Sequence, residues 1–185
     1  MNIFRNDHWI TTNEEIKNIL KNCSQCWNST LNGRLILPYN EIGSFPLQQK
    51  TQTFIINAHN EHNEEHPNKD GNNVIGHWIL LSFDKTAQTA ILFDPLNSLK
   101  KLHPHVSHFL ETYCKNLKFQ LKFLNVKTQA NQSKACGFHV IWMTHKCHNL
   151  NVHGVIELSH ILNTHSILNN ESNIVRDVFK TFHLQ

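Results

Sequence analysis

The sequence predicts a single α+β domain spanning residues 1–185, a central mixed or antiparallel sheet packed by helices, with one cysteine at a helix N-terminus. Three observations carry this expectation. The periodic segments run in the order helix, strands, helix, strand, helices, with no internal repeat and no low-complexity linker. A length of 185 residues suffices for one sizeable core and is short for two independent ones. A hydrophobic fraction of 39%, with eleven Phe and four Trp, suits a folded globular chain.

The elements follow from local signals. Thr12-Asn13-Glu14-Glu15 is a helix start, with Thr12 as cap, Glu15 returning the bond, and Ile16, Ile19 and Leu20 as the apolar stripe. Arg34 to Leu37, closed by Pro38, and Gln52 to Ile56 read as short strands. From about Ala58 to Asn73 the chain turns polar and reads as a surface loop. Ile75 to Phe83 and Thr89 to Phe93, joined by Asp84-Lys85-Thr86-Ala87, read as a hairpin. His103 to Leu117 has Val106, Phe109, Leu110, Tyr113 and Leu117 at helical spacing, and Phe119 to Val126 alternates as a strand. Lys127 to Ala135 is a polar connection to Cys136, after which Val140, Ile141, Thr144 and Cys147 signal a helix. Helices near Val155 to Asn163 and Glu171 to Phe182 close the chain.

Composition narrows the function classes. No apolar run of about eighteen residues occurs, so no membrane helix is expected. The polar start, Met1 to Asp7, lacks an apolar signal core, so a location other than secreted is expected. Five cysteines, an odd number, point to reduced thiols rather than a disulfide framework. A net charge of +3 is too small to indicate nucleic-acid binding by itself, although fifteen His raise it below about pH 6.5.

The residues with chemical potential form an ordered set. Cys136 lies in Lys134-Ala135-Cys136-Gly137-Phe138, at a loop-to-helix junction, where exposed N–H groups and the helix dipole favour a thiolate. Gly137 leaves room for a substrate carbonyl to approach the backbone. A buried structural cysteine is the plain alternative. His77, in Gly76-His77-Trp78-Ile79, starts a strand, a rigid mount for a base. Asp94, in Leu92-Phe93-Asp94-Pro95, ends the next strand; across a hairpin it can reach the far nitrogen of His77, or serve only as a turn former. Gln129 precedes Cys136 in Gln129-Ala130-Asn131-Gln132-Ser133-Lys134-Ala135-Cys136, and its amide could join the Cys136 backbone N–H in an oxyanion hole. Gln132 competes for that role. Trp78 either walls the site or packs the core.

Taken together, His77-Trp78, Asp94-Pro95 ending the next strand, then Gln129 and Ser133-Lys134-Ala135-Cys136-Gly137, resemble the adenovirus maturation protease family. Its relatives include proteases of virophages and Polinton-type elements and, more distantly, SUMO-deconjugating proteases. The likeness covers roughly Val74 to Met143, with Trp9-Ile10-Thr11-Thr12 similar to the clan's entry helix. One departure is Asp94, where adenoviral members usually carry Glu and SUMO proteases carry Asp. The resemblance implies one cysteine protease domain over 1–185 in that family's fold, with a Cys136–His77–Asp94 triad and Gln129 binding the oxyanion. It further implies cleavage near Gly in capsid or other virion precursors during particle maturation. A monomer in the virion and infected cell would follow, with no membrane partner, no metal or cofactor in the chemistry, and activation by DNA or a short peptide. Alternatives within and beyond the class are removal of ubiquitin-like modifiers, same-clan acetyl transfer, and an inactive capsid-associated binding protein.

Three other signals carry less. Cys23-Ser24-Gln25-Cys26 has zinc-knuckle or redox spacing but would need ligands such as His145, Cys147 or His148 from far away, so free thiols are expected. His59, His62 and His66 with Glu61, Glu64 and Glu65 read as a solvated loop bordering the site. Lys100, Lys101, Lys115, Lys118 and Lys122 make a modest basic set. Cys114 and Cys147 are expected in the core.

Overall fold

The computed structural model describes residues 12–58, 77–131 and 133–184. The Trp9-Ile10-Thr11 stretch, the polar His/Glu segment, Gly76 and Gln132 therefore lie outside the described residues. The first helix, α1 (Asn13–Leu20), forms where its start signal places it. Thr12 Oγ1 accepts from the Glu15 N–H at 3.2 Å and the Thr12 N–H donates to Glu15 Oε2 at 2.7 Å, closing both halves of the capping box. Ile16 and Leu20 are buried, with Ile19 partly so. A short helix that the sequence reading does not anticipate, α2 (Ser24–Ser29), follows directly.

Among the described residues, five strands form one mixed sheet in sequence order: β1 (Ile36–Pro38), β2 (Thr51–Asn57), β3 (Trp78–Asp84), β4 (Thr89–Phe93) and β5 (Gln120–Phe123). The outer pairs β1/β2 and β4/β5 are parallel, and the two central pairs are antiparallel. The β3–β4 hairpin turns as expected, because Asp84 Oδ1 accepts from the N–H groups of Thr86 and Ala87 at 2.9 and 3.1 Å.

Helices cover both faces, so the inner strands read as continuous apolar runs rather than clean alternation. Ile55, Trp78, Leu80, Ile91 and Phe93 pack on the side of α5 (Cys136–Asn149), α6 (Val152–Leu162) and α7 (Ile167–Thr181). Phe54, Ile56, Ile79, Leu81 and Phe83 pack on the opposite side, against α4 (Pro104–Asn116). Every residue of α5 from Cys136 to Thr144 is buried. A helix packed between a sheet and another helix needs apolar residues all round rather than one stripe.

Four boundaries differ from expectation for physical reasons. The helix expected over His103 to Leu117 is preceded by a separate turn, α3 (Leu99–Leu102). Pro104 disfavours helical geometry at the residue before it, and His103 sits at φ −134° and ψ 62° as the break. Strand β5 ends at Phe123 rather than Val126, because its partner β4 stops at Phe93 and the chain there turns away through Pro95. The last two helices begin earlier than expected, capped by Asn151 and Ser166.

The Phe83 side chain is fully buried, with its ring centroid 5.0 Å from Phe119, 5.9 Å from Phe54 and 6.1 Å from Tyr113. Phe83→Ala is expected to cost about 3–5 kcal/mol, read as a lower urea midpoint in equilibrium unfolding. A change under about 1 kcal/mol would show that this face of the sheet is not packed as described.

Candidate active site

The hairpin brings two of the four site residues together. Antiparallel pairing of Leu80 with Phe93 sets the start of β3 beside the end of β4. His77, just before β3, is fixed by its carbonyl, which accepts from the Ala58 N–H at 2.9 Å. Asp94, just after β4, is 6% exposed. His77 Nε2 lies 2.5 Å from Asp94 Oδ1. The carboxylate also accepts backbone N–H groups, Leu96 onto Oδ1 at 3.0 Å and Ser98 onto Oδ2 at 2.7 Å. Asp94 is thus both the turn former and the imidazole's partner, two roles that the sequence left open.

Cys136 completes the group. It is the first residue of α5, 8% exposed, and its side chain hydrogen-bonds His77. With Nε2 committed to Asp94, Nδ1 is the ring nitrogen left to serve the thiol. No side chain caps α5, since the N-cap is Ala135. The positive end of the helix dipole therefore faces the sulfur without a competing side-chain acceptor.

The electrostatics of the pair are mutually consistent. Burial alone would depress His77, but its hydrogen bonds with Asp94 and Cys136 and their charges outweigh it and raise the imidazole to about 9. Burial likewise pushes Asp94 up, but His77 and the two backbone donors prevail and hold the carboxyl below its ordinary value. Burial drives Cys114 and Cys147 up to about 12 and raises Cys26 strongly, so these thiols stay protonated.

Gln129 sits in the connection to α5, 2% exposed. The N–H groups of Thr128 and Gln129 both donate to the Pro95 carbonyl at 3.0 Å, tying this loop to the corner that holds Asp94. The Gln129 amide donates from Nε2 to the Ser133 carbonyl at 2.6 Å. A carbonyl can only accept, so the NH₂ end must face it, leaving one further N–H on the same nitrogen. Gln129 Oε1 is buried without a partner among the described residues, a cost of about 1–3 kcal/mol that marks a constrained position.

The remaining candidates fall into place less fully. Trp78 is 3% exposed and belongs to the core cluster that contains Cys136. Gly137 is buried in the first turn of α5. Cys23 Sγ lies 2.8 Å from Cys26 Sγ and caps α2 by accepting the Cys26 N–H. Among the described residues no group of three or more His, Cys, Asp or Glu is placed to hold a metal. No helix among them is long and apolar enough to cross a membrane. Of the basic set, Lys100 pairs with Glu111 at 3.8 Å and lies 3.9 Å over the Phe123 ring. A hollow of about 350 Å³, lined by Leu92, Asp94, Lys100, Phe123 and Asn125 among others, opens beside Asp94 but touches neither His77 nor Cys136. The chemistry, not the hollow, locates the site.

Sequence reading missed three neighbours. The ring of His103 stacks on that of His77, centroids 6.4 Å apart. His139, one turn into α5, and Glu171, on α7, contact the Gln129 loop. His139 follows Cys136 at i+3 and could have been suspected on that ground. Nothing in the sequence links Glu171 to it.

Linkage fixes how the His77–Asp94 pair depends on pH. His77 is raised by folding, so its contribution is complete below about pH 6.5 and lost as pH rises through about 9. Asp94 is lowered, so its contribution is complete above about pH 4 and lost as pH falls further. Unfolding free energy is therefore expected to decline between about pH 6.5 and 9, and Asp94→Asn to remove most of that slope and about 3 kcal/mol of stability near pH 6. Superimposable stability–pH profiles for the two proteins would contradict the pairing.

No family model matches this chain, and no curated protein matches it, so the chemistry of the site is read from its own side chains.

Proposed function

We propose that this chain is a cysteine endopeptidase in which Cys136 is the nucleophile, His77 the base and general acid, Asp94 the group that orients and charges His77, and Gln129 an oxyanion donor. One observation carries the reading: an imidazole held by a carboxylate at 2.5 Å also hydrogen-bonds a thiol at the first residue of a helix. The adenovirus-type pattern in the same residues supports it.

The proposed reaction is acyl transfer. The Cys136 thiolate attacks a peptide carbonyl, forming the C–S bond, while the developing oxyanion takes N–H groups from Gln129 Nε2 and the start of α5. The tetrahedral intermediate collapses, the C–N bond breaks, and His77 Nδ1 gives its proton to the leaving amine. Neutral His77 then takes a proton from water, hydroxide adds to the thioester, and release of the carboxylic acid restores the thiolate–imidazolium pair. Asp94 stays charged throughout and keeps Nε2–H in place.

By the resemblance, the substrates are capsid or other virion precursors cut near Gly, with DNA or a short peptide as activators. Aspartate at position 94 favours one second reading, removal of ubiquitin-like modifiers.

The test mixes the protein, and Cys136→Ala, with Gly-containing virion-precursor peptides and with modifier fusions, each with and without DNA and activator peptide. Cleavage of precursor peptides by the first and none by the second is expected; preference for the fusions would move the assignment to the second reading. No cleavage under any of these conditions would overturn the proposal. Gln129→Ala is expected to lower kcat by roughly 100–1,000-fold with little effect on KM, and an unchanged kcat would remove Gln129 from the oxyanion hole.

A further inference from the structure

The connection from Thr128 to Ala135 must hold Gln129 still, yet its described residues form no strand or helix. Its anchors converge on two side chains that the proposed mechanism does not use. Glu171 Oε2 accepts the Ala130 N–H at 3.0 Å, and the Glu171 carboxylate also hydrogen-bonds the Ser133 side chain. His139 Nδ1 lies 2.8 Å from Thr128 Oγ1. His139 is fully buried, its Nε2 has no hydrogen-bond partner among the described residues, and that nitrogen lies 3.7 Å from Glu171 Oε2.

This geometry selects one tautomer. A lone pair on Nε2 would face the carboxylate and be repelled, whereas Nε2–H faces it with attraction. The proton therefore sits on Nε2, Nδ1 accepts, and Thr128 Oγ1 donates. Burial holds His139 below its ordinary value against the pull of Glu171, which keeps the ring neutral and preserves that pattern. Thr128 on one side of Gln129 and Ala130 on the other are thus pinned by a linked pair, one member on the helix that carries Cys136 and the other on α7.

We propose that His139 and Glu171 are positioning residues that clamp Thr128, Ala130 and Ser133 and so aim Gln129 at the oxyanion. The proposal rests on the protease reading for its catalytic consequence, but not for the clamp itself. In the proposed acyl transfer both act only through the loop residues they hold, so they are positioning rather than catalytic residues.

The experiment compares wild type with Glu171→Ala, Glu171→Gln and Thr128→Val. The first removes the acceptor for Ala130, the second keeps an acceptor oxygen, and the third removes only the hydroxyl bonded to His139. In peptide hydrolysis, Glu171→Ala is expected to lower kcat by about 10–100-fold with KM within about 2-fold, less than the loss from deleting the donor itself. Glu171→Gln should recover to within about 3-fold, and Thr128→Val should lose roughly 5–10-fold in kcat. Alkylation of Cys136 by iodoacetamide needs no oxyanion hole and should stay within about 2-fold in all three. Hydrogen exchange at the Ala130 amide should accelerate at least about 10-fold in Glu171→Ala, with sheet amides unchanged.

Wild-type kcat and wild-type exchange in Glu171→Ala would overturn the proposal. So would parallel loss of hydrolysis and alkylation, which would place Glu171 in the fold rather than the clamp. Should Glu171→Ala fail to fold, Thr128→Val decides alone, and an unchanged kcat there counts against the clamp. If wild type hydrolyses no peptide, the protease reading fails while the exchange measurement still accepts or rejects the clamp.

Discussion

An imidazolium and a carboxylate 2.5 Å apart, both almost withdrawn from water, set the terms for everything around them. Neither charge is tolerable alone at such burial, since removing one partner of a buried pair typically costs about 3–5 kcal/mol. The pair therefore requires two backbone segments that cannot drift. Antiparallel pairing of β3 with β4 supplies them, because both are inner strands, each hydrogen-bonded to a neighbour along both edges. Asp94 is further fixed by the N–H groups of Leu96 on Oδ1 and Ser98 on Oδ2, so both carboxylate oxygens are compensated.

The thiol is delivered to this pair by packing. α5 is buried along most of its length between the sheet and α7, so its first residue has one place to be. The stretch that achieves this, Cys136 to Thr144, is apolar apart from Thr144, whose hydroxyl bonds the Val140 carbonyl, and His139, whose ring is absorbed by Thr128 and Glu171. The two halves of the proposed mechanism thus hang from different supports. The base and its carboxylate belong to the hairpin, while the nucleophile and the oxyanion loop belong to α5 and its contacts with α7. The carbonyl of Pro95, accepting from Thr128 and Gln129, joins the two.

Much of the fold was legible because its signals are local. The Thr12/Glu15 capping box, the Asp84 turn and the start of a helix at Cys136 each depend on residues close in sequence. The His77–Asp94 contact was legible one step further, since hairpin geometry converts strand ends into neighbours. What escaped was set by partners distant in the chain. β5 stops where β4 no longer offers a partner, and a strand's own alternation cannot reveal that. The break at His103 was readable from Pro104, but the helical spacing around it masked the signal. Glu171 meets Ala130 across 41 positions, and no local pattern announces such a contact. Trp78 looked equally suited to cleft or core, and it is 3% exposed within the core cluster that also holds Cys136.

The most direct measurement of the central claim, an activated thiol at Cys136, is competitive alkylation of the five cysteines at about pH 6 with each site followed by mass spectrometry. The account predicts that Cys136 reacts well ahead of Cys23, Cys26, Cys114 and Cys147, and that His77→Ala abolishes its lead. Cys136 reacting no faster than the other four, or keeping its lead without His77, would contradict it.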